Sequence, residues 1–501
     1  MAQPTATFLF LEPAPAGRAH ALPMTSTRLL TVLTATLLVL AVVTGGDSQD
    51  RGWGDALTQL LAWPVLLLAV WRLASDTGGQ VAGSRPAVGS TSADALTAVV
   101  PIAVVPTVGR HRLRDHDPAT APPPRSALRL FALALAAAVP LALALQWLTG
   151  LSLAPWASER ALWAVLPALA AFLAALALPP RELQRLAWLV VGLASASLVL
   201  GYLQLGAPQD SPLNPFPQWA PALNGLYANP NHQATSIAVA LVLVLAWLLH
   251  DDGRERDGRW WATRVAVAGL GLFLLVGLPL TGSRGALLVA LAGLLAVPLA
   301  NGWLGRRWRR HRRLALVASV GGAVAAAVLL LAAHGWLKVD RQDESRSAVF
   351  AATASMAREA SPGGIGVGGF VPWFEAHAPA ALVQGEYFNH AHSEYPQWWL
   401  ESGVAGLAWI AALVVLVMGS RPRPGRGLHP EWLHVGAWIG MVVVLAHSAV
   451  DYPLRTPALM TLTALLAGIG VARALATATQ PRVSTHAPVA AACPHPPRPI
   501  S

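Results

Sequence analysis

Charged residues are scarce in this chain. Only 12% of its 501 residues are charged, whereas 54% are hydrophobic, and the mean hydropathy is +0.50. Soluble globular proteins carry about 25% charged residues. The apolar residues also occur in long blocks. The composition therefore excludes an ordinary soluble domain and indicates a polytopic membrane protein.

Cysteine and cofactor motifs are also scarce. Cys493, in a Pro-rich C-terminal stretch, is the one cysteine, so no intramolecular disulfide can form and cysteine usage does not indicate a compartment. No Walker or G-x-G-x-x-G loop follows a predicted strand, and no Asp, Glu or His cluster has the spacing of metal ligands. We expect no cofactor and no metal. The net charge of +10 does not indicate nucleic acid, because the basic residues lie in short runs between apolar blocks.

The apolar blocks predict the fold. Each is close to the roughly 20 residues that a helix needs to cross a ~30 Å hydrocarbon core. We therefore expect an all-α fold, a polytopic membrane bundle of about twelve transmembrane helices with a long, partly helical outer loop between spans 9 and 10. The blocks cover about residues 28–46, 56–73, 127–147, 160–178, 186–206, 233–250, 262–281, 285–301, 314–333, 403–419, 434–450 and 457–475.

Around these blocks the chain divides into four parts. They are a leader, a set of N-terminal transmembrane helices, a catalytic transmembrane region and a disordered Pro-rich cytoplasmic tail, over residues 1–26, 27–206, 207–475 and 476–501. Either Met1 or Met24 can be the true start. The apolar segment 91–108 is interrupted by prolines, and we interpret it as interfacial or re-entrant.

Arginines predict the orientation, since cytoplasmic loops of membrane proteins are enriched in Lys and Arg. Residues 306–313 hold six arginines in eight positions, and 253–259 and 421–426 are basic on the same side. This asymmetry places both termini in the cytoplasm. Two outer connections, 207–232 and 334–402, are too long to be simple turns, and long connections are usually functional or disordered. We expect the second to fold against the outer face and to carry chemistry.

A spacing at the end of that loop is specific. His392 and Ser393 are followed by nine residues, then Gly403, two residues and Gly406. The pattern resembles the H-[N/S/Q]-x9-G-x2-[G/T/Y] signature of the O-antigen ligase and polymerase superfamily. Further stretches resemble the same family, over about residues 200–475: "GLYANPNHQAT" (225–235), "LTGSRGALL" (280–288), "SPGGIGVGGF" (361–370) and "HSAVDYPLRTP" (447–457).

The resemblance implies a function. Members are membrane glycosyltransferases that use a glycan linked to undecaprenyl pyrophosphate. The acceptor hydroxyl can belong to the lipid A core, a growing glycan or a protein, so ligase, polymerase and protein O-oligosaccharyltransferase remain alternatives. The implied place is the bacterial inner membrane with the active site on the periplasmic face, among membrane lipids. The implied mechanism is metal-independent and inverting, with His392 as the general base.

Local physics favours the same residue. Ser393 suits an N-cap, and a proline in the first turn is tolerated, so a helix can begin at 393–394. His392 would then lie just outside a helix N-terminus, where the positive dipole end favours an anion and disfavours an imidazolium. Gly403 and Gly406 would lie near one face and permit close helix contact.

The remaining site residues are predicted as follows. Arg284, an arginine at an outer boundary, is predicted to grip pyrophosphate with its guanidinium fork, the alternative being an anchor in lipid headgroups. Arg346 and Arg455 bind substrate or form structural ion pairs, with Asp451 the expected partner of Arg455. His390 and Asn231 are also substrate-binding candidates. Related ligases usually carry another arginine near 207–232, and this chain has none there.

A transporter or lipid flippase is the alternative of another class. Such a bundle usually places ionisable residues at the membrane midplane and contains inverted repeats. Here the predicted span centres hold essentially no charged residue, and no repeat is seen. The polar residues lie on one predicted face, which favours an interfacial enzyme.

Overall fold

The computed structural model describes residues 24–47, 53–82, 125–217, 223–250, 255–301, 341–383, 387–423 and 431–477. This part of the chain forms helices and connections, with no strand. The leader before residue 24, segment 91–108, the predicted span 314–333, the basic run 306–313 and the C-terminal tail lie outside the described residues.

The helices follow the apolar blocks. Their bounds are α1 Met24–Thr44, α2 Trp53–Ala82, α3 Arg125–Leu148, α4 Pro155–Ala164, α5 Leu166–Ala177, α6 Pro180–Leu205, α7 Pro230–Leu248, α8 Gly258–Leu280, α9 Arg284–Ala300, α10 Arg341–Glu359, α11 Phe370–His377, α12 Ala380–Val383, α13 Glu394–Gly419, α14 Trp432–His447 and α15 Pro457–Thr477, with a 3₁₀ turn at Pro453–Arg455.

The predicted membrane bundle is confirmed. Within the described residues, nine segments are long and apolar enough to cross a membrane, and the apolar helices α9 and α14 are shorter. Together they account for eleven of the twelve predicted blocks. The block at 160–178 is two helices, α4 and α5, because Pro167 lacks the N–H that a continuous helix would need.

One helix organises the half of the bundle that contains α6 to α9 and α14. Helix α7 is buried along most of its length and packs against α6, α8, α9 and α14. Helix α5 packs in the same way between α2 and α15. Since α7, α9 and α14 touch, their ends on one side of the bundle are brought together, and so are the loops attached to those ends.

Arginines interact with helix ends on the other side. Arg72 donates to Ser26 Oγ at 2.9 Å and to the Ala177 carbonyl at 3.4 Å. Arg264 donates to the His250 carbonyl at 2.6 Å, and Arg473 pairs with Glu431. Arg72 and Arg264 thus satisfy carbonyls at the C-termini of α5 and α7, and the three arginines place a set of cations at one end of the bundle. We call this the arginine end, and the opposite one the histidine end.

The long connection before α13 is partly helical, as expected. Helices α10 and α11 share a small hydrophobic core with the chain that follows them, built on Val349, Met356, Phe370, Phe374 and Phe388. The Gly-rich segment 361–370 docks on the start of α4, where Ser158 Oγ donates to the Val367 carbonyl at 2.7 Å. The connection is therefore folded onto the bundle at the histidine end.

Helix α13 is interrupted at Gly403. This residue has φ 59° and ψ −147°, and a Cβ there would lie 2.0 Å from the Pro362 carbonyl oxygen. The loop docks through backbone hydrogen bonds, with Val404 N donating to Pro362 O at 3.0 Å and Gly366 N donating to Glu401 O at 2.9 Å. The expectation that Gly403 permits close contact between helices was wrong. Its missing side chain admits a loop, and its left-handed conformation breaks the helix.

Candidate functional site

Several helix ends meet at the histidine end. Helices α7, α9 and α13 begin there, and α14 ends there with the 3₁₀ turn after it. Asn229 caps α7, its Oδ1 accepting from Asn231 N at 2.8 Å, and Ser283 caps α9, its Oγ accepting from Ala286 N at 3.3 Å. Helix N-termini present free N–H groups and the positive end of the helix dipole, so this end of the bundle favours an anion.

His392 precedes α13 in a rare backbone conformation. Its φ is 52°, the left-handed region that non-glycine residues seldom adopt and that costs about 1–3 kcal/mol. The backbone before and after this turn is held by hydrogen bonds: Ala391 N donates to Gln397 Oε1 at 2.9 Å, and Glu394 N donates to the Ser448 carbonyl at 2.9 Å. The turn aims Nδ1 of His392 at Asp451, 3.9 Å from Oδ1.

Asp451 lies at the centre of a histidine cluster. Its side chain is 1% exposed, and His232 Nε2 approaches its other oxygen, Oδ2, at 3.9 Å. Among the described residues, neither oxygen of Asp451 has a hydrogen-bond partner. Burial raises the pKa of Asp451, but His392, His232 and His447 lower it further, so that the pKa lies well below its usual range. The carboxylate is thus ionised and faces imidazoles that gain from its charge when protonated.

Tyr452 connects the histidines. Its ring centroid lies 4.4 Å from that of His390, 5.2 Å from that of His392 and 5.1 Å from that of His232. Asn229 Nδ2 lies 3.4 Å from its hydroxyl oxygen. Burial and the charge of Asp451 raise the pKa of Tyr452, which therefore remains a neutral phenol.

His447 lies beneath this cluster. Its Nδ1 is 2.7 Å from Thr235 Oγ1, and a Cβ on Gly285 would lie 3.2 Å from its Nε2. The small residue lets α9 approach α14 closely. Arg284, one position earlier and half-buried at the start of α9, is thereby placed beside the cluster.

A comparison with known protein families covers the same residues. The O-antigen ligase family model matches residues 269–411, which contain Arg284, the Gly-rich loop, His392 and the break at Gly403. The match supports the resemblance of this part of the chain to the O-antigen ligase superfamily. That family consists of membrane glycosyltransferases, and at this coarse level the match supports a membrane enzyme of glycan transfer. No curated protein matches the chain.

Arg455 is engaged differently from the prediction. It does not pair with Asp451. Its Nε donates to Glu394 at 2.9 Å and its Nη1 to Glu401 at 2.7 Å. Burial lowers the pKa of Arg455, but the two carboxylates raise it further, and the net pKa lies above its usual range. The expected partner was wrong because Asp451 and Arg455 face different neighbours. Arg455 ties the 3₁₀ turn to one face of the first half of α13, since Glu394 and Glu401 are about two helical turns apart.

The other predicted residues are placed as follows. Ser393 occupies the N-cap position of α13, but its hydroxyl makes no cap hydrogen bond and, within the described chain, has no partner. Arg346, on α10, is half-buried within electrostatic range of His447. Asn231 is half-buried, its N–H bonded to the Asn229 cap and its carbonyl accepting from Thr235 Oγ1 at 2.8 Å. A Cβ on Gly406 would meet its own helix at Ser402 and the Trp398 carbonyl.

Sequence reasoning missed part of the candidate site. His232, His447 and Tyr452 stand inside stretches that resemble the family, but nothing in their local pattern separates them from interfacial polar residues. Glu401 and Gln397 lie on the polar first half of α13 and are fully buried, which the sequence did not indicate.

Although the cluster is rich in histidine, no three His, Cys, Asp or Glu side chains in the described segments are placed to hold a metal ion.

Proposed function

We propose that this ligase transfers a glycan from undecaprenyl pyrophosphate to an acceptor hydroxyl at the extracytoplasmic membrane face. The observation that carries the proposal is the pairing of His392 with the buried carboxylate of Asp451 where helix N-termini converge. A base and an anion-binding site are what such a transfer requires.

The proposed mechanism begins with proton abstraction. With Nδ1 directed at Asp451, His392 has Nε2 available to accept the proton of the acceptor hydroxyl. The acceptor oxygen attacks the anomeric carbon, and the bond from that carbon to the pyrophosphate oxygen breaks with inversion. The imidazolium formed on His392 is stabilised by Asp451 and passes its proton to water or to the leaving pyrophosphate.

Arginines support the leaving group. Arg284, at the first position of α9, and Arg346, on α10, are the predicted arginines that lie beside the cluster. We assign both to the pyrophosphate, with Arg346 in place of the arginine that related ligases carry in 207–232. Arg455 is committed to two glutamates, so we assign it a structural role.

Arg284 gives the first prediction. Arg284→Lys is expected to reduce transfer nearly as much as Arg284→Ala, because lysine keeps the charge and loses the bidentate fork. Arg185→Lys, on an exposed arginine at the arginine end, is the matched control and should transfer like wild type. The assay uses purified protein, undecaprenyl-pyrophosphate glycan and acceptor, with product read on a gel. Wild-type transfer by both Arg284 variants would leave Arg284 as a lipid anchor.

The orientation is tested separately. In a Cys493→Ser background, Ala380→Cys on the folded connection and Glu255→Cys at the start of α8 report the histidine and arginine ends. An impermeant maleimide added to intact spheroplasts should label position 380 and spare 255, because the arginine end is cytoplasmic in this proposal. The reverse labelling pattern would put the histidine cluster in the cytoplasm and reject the proposed face.

A further inference from the structure

Gln397 makes three hydrogen bonds from a side chain that is 1% exposed. Its Oε1 accepts from Ala391 N at 2.9 Å. Its Nε2 lies 3.1 Å from Glu401 Oε1 and 3.2 Å from His390 Nδ1. The residue therefore links the histidine-bearing turn to the first half of α13.

These bonds fix the orientation of the amide. A backbone N–H can only donate, so the atom facing Ala391 must be the amide oxygen. The NH₂ group then has two hydrogens for two neighbours. One is donated to Glu401, which is ion-paired with Arg455, and the other points at His390 Nδ1. Nδ1 must accept, so the proton of the His390 ring is on Nε2.

The surroundings keep His390 neutral. Burial and the nearby charges of Arg455, His392 and His232 lower the pKa of His390 well below its usual value, against the opposing effect of Asp451. Within the described chain Nε2 makes no hydrogen bond, and the ring is half-buried against Tyr452. His390 thus offers a neutral N–H donor beside the base His392.

We propose that Gln397 is a positioning residue that holds His390 as the Nε2–H tautomer, so that His390 donates a hydrogen bond to the donor's pyrophosphate. This inference rests on the proposed function. Two adjacent histidines then take opposite roles: His392 accepts a proton, while His390 stabilises the oxygen that gains negative charge as the glycosidic bond breaks. His390 transfers no proton in this scheme.

The test is a double-mutant cycle. Gln397→Glu can still accept from Ala391 N but cannot donate to His390, and its carboxylate favours a proton on Nδ1 instead. We expect Gln397→Glu and His390→Ala each to lower kcat by about 10²-fold, the size reported for loss of one transition-state donor. If Gln397 acts through His390, the double variant loses no more than His390→Ala alone. Losses that multiply would overturn the inference.

Gln204 supplies the matched control. It is also a buried glutamine with three hydrogen bonds, to the backbone of Leu213 and Gly225, on a different helix. The losses of Gln204→Glu and His390→Ala should multiply, since the two residues share no contact. If these losses failed to multiply as well, non-additivity would be a general property of the protein, and the Gln397 result would no longer support a specific coupling.

A second measurement does not depend on activity. Nitrogen NMR of histidine-labelled protein in lipid nanodiscs, with the His390 signals identified by their loss in His390→Ala, reports which ring nitrogen carries the proton. Wild type should show a protonated Nε2, and both Gln397→Glu and the apolar Gln397→Met should change this pattern. An unchanged pattern overturns the inference even if transfer is confirmed. A wild-type protein that transfers no glycan overturns the proposed function. The NMR result still decides whether Gln397 sets the tautomer of His390.

Discussion

Replacing His392 by alanine is expected to lower glycan transfer by about 10²–10⁴-fold, the usual contribution of a general base, while the protein still accumulates in the membrane. The residue sits in a strained left-handed turn with its Nδ1 directed at a buried carboxylate. Alanine removes the proton acceptor and leaves the neighbouring hydrogen bonds of Ala391 and Glu394 intact, because those are made by the backbone.

The measurement is kcat with the lipid-linked donor and an acceptor, normalised to protein in the membrane fraction. His377→Ala is the control, since His377 is an exposed histidine stacked on Trp373, away from the cluster, and should transfer like wild type. EDTA should leave wild-type activity unchanged. Full turnover by His392→Ala, or activity lost to EDTA and restored by a divalent metal, would disprove the metal-free general-base mechanism.

Asp451→Asn is expected to lower transfer by a similar amount. Asp451 is fully buried, and the imidazolium formed on His392 during the reaction would lose its counter-charge. In the Ser-His-Asp triad, replacing the carboxylate that orients the catalytic histidine and stabilises its imidazolium lowers kcat by about 10⁴-fold. A loss on the order of 10²–10⁴-fold is therefore expected here. Asparagine is nearly isosteric, so the effect should fall on kcat with little effect on protein accumulation.

Asp210→Asn makes the same chemical change on an exposed loop residue and should leave kcat unchanged.

The double variant His392→Ala, Asp451→Asn adds a further check. If Asp451 acts through His392, the double variant should be no slower than His392→Ala by itself, because residues that act as one unit are strongly non-additive. A wild-type kcat in Asp451→Asn would show that the Asp451 carboxylate does not assist His392 as the general base.

Two assignments changed when the tertiary contacts were known. The sequence left Arg455 between substrate binding and an ion pair with Asp451, but two glutamates on α13 hold it. Ser393 was expected to cap α13 with its hydroxyl, and the position is right although the hydrogen bond is not made. The turn is instead held by Gln397 and by the Ser448 carbonyl, so Ser393→Ala should cost less local order than a capping serine would.

The sequence by itself determined the membrane bundle and the positions of most helices. Long apolar runs must be helical to satisfy their backbone in lipid, and this requirement is local to each run. The spacing from His392 to Gly406 also predicted the family and the general base from a short stretch. The glycine at 403 was identified as important, although the reason given for it was wrong.

Only the tertiary structure brought together His232, His392, Asp451 and Tyr452. These residues come from α7, the turn before α13 and the connection after α14, and they meet because α7 packs against α14 and because the loop docks at Gly403. A contact between distant segments depends on which helix faces touch. Apolar periodicity does not specify those faces when a helical segment is hydrophobic all round, as the second half of α7 is.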